Sequence, residues 1–373
     1  MSNAALVALA VAAALGAAAA RGAEGHEPVK TRVYVSGEGG YHTYRIPGLV
    51  VTTKGTLLAF CEGRKTSRRD HGDIDLMLRR STDQGTSWSD QQVVHEEGGT
   101  AKITIGNPCP VVDRDTGTVW LAFCRNNARV FLTHSRDDGK SWAEPSEITR
   151  DVKDPKWDWY ATGPGHGIQL QRGEHKGRLV VPCDHRVKGH PGGWKGAGRS
   201  HLVYSDDHGK TWRAGEPTDW GMNECEVVER ADGSLLLCMR NYHGKNRRAF
   251  ARSSDGGQTW SKPGHHHQVY CPTCQASIHR YAVEPRNILL YSGPGGKGRN
   301  NLTVRASTDE GHSWPIARVL QPGPSAYSDL AVLPDGTICC LYETGEQHPY
   351  ETLTVARFPL DWLMGAGQAE DAR

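Results

Sequence analysis

The chain has 373 residues, with 44 Lys and Arg against 42 Asp and Glu and a net charge of +2. That balance excludes a broadly basic surface for gripping nucleic acid, so no nucleic-acid partner is expected. Eleven Trp and 44 Gly beside five Met suit a turn-rich β protein better than a helical one, and a repeat fold of this length forms one unit.

Residues 4–20 are almost entirely Ala, Leu and Val, followed by Arg21-Gly22-Ala23. This has the form of a secretory signal peptide over residues 1–23, with Ala20 or Ala23 the last residue removed, although no Lys or Arg precedes the apolar run. No other apolar run is long enough to cross a bilayer. The mature chain is therefore expected to be secreted, periplasmic or held at the cell surface, without a membrane span.

Thr31–Val35 reads as a short strand. Six apolar hairpins follow: Leu49–Cys61, Pro110–Cys124, Gly167–Cys183, Cys225–Met239, Ala276–Tyr291 and Asp329–Leu341. Turn residues such as Lys54-Gly55, Asp232-Gly233 and Asp335-Gly336 mark most of their tips. Each of the first five hairpins leads through another short strand into an eight-residue box, Ser-x-Asp-x-Gly-x-(Ser/Thr)-Trp. The boxes are Ser81–Trp88, Ser135–Trp142, Ser205–Trp212, Ser253–Trp260 and Ser307–Trp314. The Gly allows the positive φ of a tight turn, the Ser and Asp can satisfy its N–H groups, and the Trp is an apolar anchor. A fourth strand follows each Trp. Four antiparallel strands per repeat define a β-propeller blade.

The sixth hairpin has only the strand Thr352–Phe358 after it, so Thr31–Val35 is expected to supply that blade's outermost strand. The expected fold is all-β, a six-bladed β-propeller of four-stranded antiparallel blades closed by the N-terminal strand. It occupies residues 28–366 as one domain, with a short tail at 367–373.

Of the ten cysteines, Cys61, Cys124, Cys183, Cys238 and Cys340 fall at similar points of the repeats and read as small buried strand residues rather than bridge partners. Cys271-Pro272-Thr273-Cys274 lacks the second pair a zinc site needs and reads as an inert thiol pair, with a local disulfide as the alternative. His265-His266-His267 reads as a solvated loop.

Strand alternation sends residues before first strands and after second strands to one mouth of the ring, and the boxes to the other. Arg45, Arg64, Asp70, Asn107, Glu224, Arg240, Arg299, Tyr327 and Glu343 all fall at the first mouth, with Asp73 and Asp75 close to Asp70. Trp157, Trp159 and Tyr160, ahead of the Gly-rich run 163–167, read as a loop that could wall a sugar site.

With Arg45-Ile46-Pro47, five boxes, Asn223-Glu224-Cys225 and Tyr327-Ser328-Asp329, the chain resembles the sialidases that carry bacterial neuraminidase repeats, of the bacterial exo-α-sialidase type. The resemblance covers residues 30–366. It implies that Arg45, Arg240 and Arg299 clamp the substrate carboxylate and that Asp70 is the general acid/base. It further implies Tyr327 as nucleophile, Glu224 as the carboxylate beside it, and Glu343 as the acid orienting Arg45. Arg64 matches the arginine near the sugar 4-hydroxyl, and Asn107 stands where the family often has Asp.

These residue types suit the chemistry. Guanidinium forks recognise carboxylates bidentately. A neutral tyrosine avoids the like-charge encounter that a carboxylate nucleophile would meet beside the sugar's own carboxylate. The implied partners are sialylated glycans (glycoproteins, gangliosides, oligosaccharides), and neither metal nor other cofactor is implied. Trans-sialylation, hydrolysis of a related nonulosonic acid and non-catalytic sialic-acid binding are the other readings; the last would need only the arginines.

Overall fold

The structure is a computed structural model that describes residues 27–365 apart from residue 284. The expected signal peptide and the 367–373 tail lie outside those residues. No helix among the described residues is long and apolar enough to cross a membrane.

The described residues form 24 strands, almost all in antiparallel hairpins. After β1 (Val29–Val35), the first sheet holds β2 (Thr43–Val51), β3 (Leu57–Arg64), β4 (Ile74–Ser81) and β5 (Gln92–His95). The second holds β6 (Ile105–Val112), β7 (Val119–Arg125), β8 (Arg129–Ser135) and β9 (Ser146–Glu147). In the third, β12 (Leu179–Val187) pairs with β13 (Gly198–Ser205), which pairs with β14 (Arg213–Ala214). Its innermost position is split between β10 (Trp157–Thr162) and β11 (Ile168–Gln169), which pair with opposite halves of β12. The fourth holds β15 (Met222–Glu229), β16 (Leu235–Asn241), β17 (Arg247–Ser253) and β18 (Gly264–Tyr270).

The fifth sheet holds β19 (Ser277–Tyr281), β20 (Ile288–Pro294), β21 (Asn300–Ser307), β22 (Ile316–Val332), β23 (Ile338–Thr344) and β24 (Thr352–Phe358), with β1 along β24. Two four-stranded units were expected here. Instead, the 17-residue β22 serves both, pairing with β21 through its first half and with β23 through its second. The chain bends at Pro322-Gly323-Pro324, where Gly323 has φ 77°, rather than leaving the sheet.

Trp157, Trp159 and Tyr160 also differ from expectation, because they lie in β10 and not in a loop. The glycine run after them interrupts the strand: at Gly165, φ 119°, any β-carbon would collide with the Glu226 carboxylate.

The core is a series of wedges between neighbouring sheets, and each box supplies a Trp to the wedge shared with the preceding sheet. Trp142 packs between the first and second sheets, Trp212 between second and third, Trp260 between third and fourth, and Trp314 between fourth and fifth. Trp88 of the first box packs in a cluster that joins Leu49 and Leu57 to Leu341, Leu353 and Val355 of the last sheet. All ten cysteines are buried and unbridged, Cys271 and Cys274 included.

Inside each box the hydrogen bonding repeats. In the first, the Ser81 hydroxyl donates to Asp83 at 2.8 Å and accepts from the Gly85 N–H at 2.8 Å, while the Ser87 hydroxyl donates to Asp83 at 2.6 Å. The second reproduces this with Ser135, Asp137, Gly139 and Ser141. These hydrogen bonds, the serine hydroxyls of Ser87 and Ser141 foremost, hold the Asp83 and Asp137 carboxyls down to about 2.

A carboxyl held below its unfolded value stabilises the fold above the unfolded pKa of about 4, and that stability is lost as pH falls through the folded value. Urea midpoints are therefore expected to drop between about pH 5 and about pH 2.5. An Asp83→Asn/Asp137→Asn double variant should be less stable at neutral pH with a shallower acid dependence. Parallel curves for the two proteins would refute a role for the boxes in acid stability.

Candidate active site

Antiparallel register fixes which ends of the strands carry the boxes. In the first sheet Val51, Leu57 and Ser81 align at the box end, and Thr43, Arg64 and Ile74 align at the other. The nine candidate residues gather at this second end. Arg45, Arg64, Asp70, Asn107, Glu224, Arg240, Arg299 and Tyr327 line one cleft of about 600 Å³, and the ninth, Glu343, is buried directly behind it.

The innermost strands are irregular where they meet the cleft. Register shifts occur between Arg45 and Gly48, Gly106 and Cys109, Met222 and Cys225, and Ser325 and Ser328. Ile46 and Asn107 have φ 63° and 57°. Each bulge re-aims a side chain from the sheet face toward the mouth. Pro47 and Pro108, which cannot donate to a ladder, sit at two of them.

The Glu343 carboxylate, fully buried, accepts from Arg45 Nε at 2.9 Å and Nη2 at 3.2 Å, and from the backbone N–H groups of Ile46 at 3.0 Å and Tyr327 at 3.1 Å. Arg45 stacks on Tyr350 at 4.2 Å and on Tyr327 at 5.0 Å. Arg299 lies 5.1 Å from the Tyr327 ring and donates to the Tyr350 hydroxyl at 2.8 Å. Arg240 Nη1 donates to Glu224 at 2.7 Å and to the Tyr327 hydroxyl at 2.9 Å. The three arginines thus converge around one tyrosine.

Tyr327 in turn donates to Glu224 Oε1 at 2.5 Å. Burial and the adjacent Glu224 push the Tyr327 hydroxyl well up, against the pull of the arginines. Burial also raises Glu224, but Arg240 and the Tyr327 hydrogen bond outweigh it and hold the carboxyl below its ordinary value. At rest the pair is therefore a neutral phenol on a carboxylate, with the proton already directed at its acceptor.

Asp70 projects from the loop between β3 and β4, its side chain 74% exposed, 2.9 Å from Arg64 Nη1 and 3.4 Å from Arg45 Nη1. Desolvation raises its carboxyl, but Arg64 and then Arg45 overcome this and leave it below the usual carboxylate value. Asp73 and Asp75 do not line the cleft, and Asp75 is engaged by Tyr41 at 2.6 Å and Lys65 at 3.0 Å.

Several cleft residues were not foreseen. Glu62, buried, holds Arg64 at 2.6 and 3.0 Å and accepts the Asn107 N–H at 3.0 Å. Tyr350, Asn223, Arg186, Trp194 and Tyr242 also line the cleft. Of the three expected wall aromatics only Trp159 lines the cleft. Trp157 stacks on His185 with ring centroids 3.4 Å apart, and the buried Tyr160 bonds His201 at 2.9 Å. Successive strand side chains point to opposite faces, and a register shift between Trp157 and Trp159 sets which one turns to the cleft.

The repeats and the sheet architecture define a BNR-repeat protein, and residues 55–340 match the BNR repeat-like domain family. The sialidase of Micromonospora viridifaciens is 37% identical over 97% of this chain and 59% of its own length. The sialidase-3 of Rattus norvegicus is 33% identical over 85% of this chain and 91% of its own. A solved Hadza microbial sialidase superposes with a TM-score of 0.79 at 29% identity, covering 90% of this chain and 69% of that one. The chain belongs to the sialidase family. It spans about three fifths of the length of the Micromonospora viridifaciens and Bacteroides fragilis sialidases, at 59% and 62%.

Removing Glu343 would strand the buried Arg45 guanidinium and two backbone N–H groups. Glu343→Ala is expected to lower unfolding stability by about 3–5 kcal/mol, read from equilibrium urea curves. A loss below about 1 kcal/mol would mean that Arg45 finds another counter-ion.

Proposed function

We propose that this chain is an exported exo-α-sialidase that hydrolyses terminal sialic acid from glycoconjugates with net retention, through a sialyl-tyrosine intermediate. In this reading the sheets form a six-bladed propeller closed where β1 runs along β24. The hydrogen-bonded Tyr327–Glu224 pair beneath three converging arginines carries the proposal, because carboxylate binding alone requires only the arginines.

The substrate carboxylate sits among Arg45, Arg240 and Arg299, which places the anomeric carbon over the Tyr327 hydroxyl. Tyr327 attacks as its proton passes to Glu224, while Asp70 protonates the departing glycosidic oxygen. In the second half Asp70 removes a proton from water, which attacks the anomeric carbon and releases Tyr327, and Glu224 returns its proton to the phenolate. Arg64, held by Glu62, faces the sugar with Asn107. Asn107 keeps hydrogen-bonding capacity without the charge of an Asp.

Tyr327→Phe should lower kcat on a fluorogenic aryl sialoside by roughly a thousandfold or more. Asp70→Ala should cost roughly 10²–10⁴-fold on a natural glycan and much less on the aryl sialoside, whose leaving group needs little protonation. Proton NMR of the first product should show the retained α-anomer. Wild-type protein that binds sialic acid without turning over the aryl sialoside would defeat the hydrolase reading in favour of a lectin. A sialylated acceptor product in place of free sialic acid would identify a transferase.

Substrate binding also changes the field on Asp70. The substrate carboxylate offsets the positive charge of Arg45, one of the three groups, with Arg64 and His71, that hold the Asp70 carboxyl down, so its pKa rises in the complex. The alkaline limb assigned to Asp70 is expected at higher pH in kcat than in kcat/KM. Coincident limbs would rule out this coupling.

A further inference from the structure

A second hollow adjoins the cleft. A groove of about 1070 Å³ runs across the last sheet from Lys30 and Arg32 on β1 to Tyr350 and the loop before Asp70. Arg68, Arg69 and Tyr350 line both the groove and the cleft, so the two hollows are continuous. The loop is fixed from below, because Arg64 donates to the Arg68 carbonyl at 2.6 Å.

The groove's charge is lopsided. Lys30, Arg32, Arg68 and Arg69 are exposed, and among the described residues none of the four forms an ion pair. Its acids are Glu346 and Glu351. The Glu351 carboxylate is already occupied, accepting the backbone N–H groups of Glu346, Gln347 and His348 at 2.9, 2.9 and 3.0 Å. Apart from two histidines, Tyr342 and Tyr350 are the only aromatic side chains in the lining, so there is little stacking surface for neutral sugar rings.

The chemistry orients the groove. An acid that protonates the glycosidic oxygen must touch the first atom of the leaving group, and Asp70 directly follows Arg68-Arg69 in sequence. The remainder of the departing glycan then continues over those arginines. A volume of this size exceeds what one sugar residue requires.

Resting on the sialidase reading above, we propose that this groove is the leaving-glycan subsite and selects glycans with further anions, carboxylate or sulfate, beside the cleaved bond. Exposed cations act through a screened field, so the selectivity should weaken with salt.

The test compares kcat/KM on four substrates: an α-linked sialic acid trimer, a sialyl-lactose sulfated on galactose, neutral sialyl-lactose, and an aryl sialoside. At low ionic strength the acidic glycans should be favoured over the neutral one by roughly 3–10-fold, and about 0.5 M salt should abolish the preference. Lys30→Glu/Arg32→Glu should remove or reverse it while leaving aryl sialoside turnover within twofold, which also reports that the variant is folded. Preference for only one acidic glycan would support the groove and identify its anion. Equal rates on acidic and neutral glycans, with normal aryl turnover, overturn the groove assignment alone. Absence of aryl turnover by the wild type overturns the hydrolase reading on which it stands.

Discussion

One buried carboxylate ties the molecule to its chemistry. Glu343 receives four donors, two from Arg45 and one each from the Ile46 and Tyr327 backbones. It thereby binds the first sheet to the last and, by the same bonds, sets the distance between the Arg45 guanidinium and Tyr327, the proposed nucleophile. Desolvating a carboxylate and a guanidinium costs several kcal/mol per ion, recovered only when geometry and further hydrogen bonds are good. Here every donor arrives within 3.2 Å.

Fold and site divide the strands between them. At one end the boxes repeat a single solution, with Ser, Asp and Gly closing a turn and Trp wedging adjacent sheets apart at a fixed spacing. At the other end four inner strands, β2, β6, β15 and β22, break register where they meet the cleft, and each brings a different side chain to it. The regular end supplies the rigidity that the irregular end needs, since re-aimed side chains hold position only when the sheets beneath them cannot shift.

This division decides what could be read in the sequence. The boxes are local patterns with a local mechanism, so strand order and the edge position of β1 followed directly. Arg45, Glu224 and Tyr327 were legible because each lies in a short motif at an inner strand's entrance. Glu62 and Tyr350 were not. Glu62 sits in an ordinary strand repeat, and its importance lies in holding Arg64 and the Asn107 backbone, contacts between two sheets that leave no periodic trace. Trp157 and Tyr160 were misjudged for a related reason: a bulge decides which face a strand aromatic occupies, and sequence alternation alone does not place bulges. The continuity of β22 was equally hidden, since Pro322-Gly323-Pro324 reads as a break and the chain merely bends there.

That shared strand has a dynamic consequence. Local opening normally releases one hydrogen-bonded unit at a time. β22 belongs to two units, and the Ser325 N–H donates to the carbonyl of Arg299 at 3.0 Å while Tyr327 lies two residues on. Neither Arg299 nor Tyr327 can therefore fray independently. Tyr327 and Arg299 fall within one cooperative block, whose opening approaches the cost of unfolding the whole sheet.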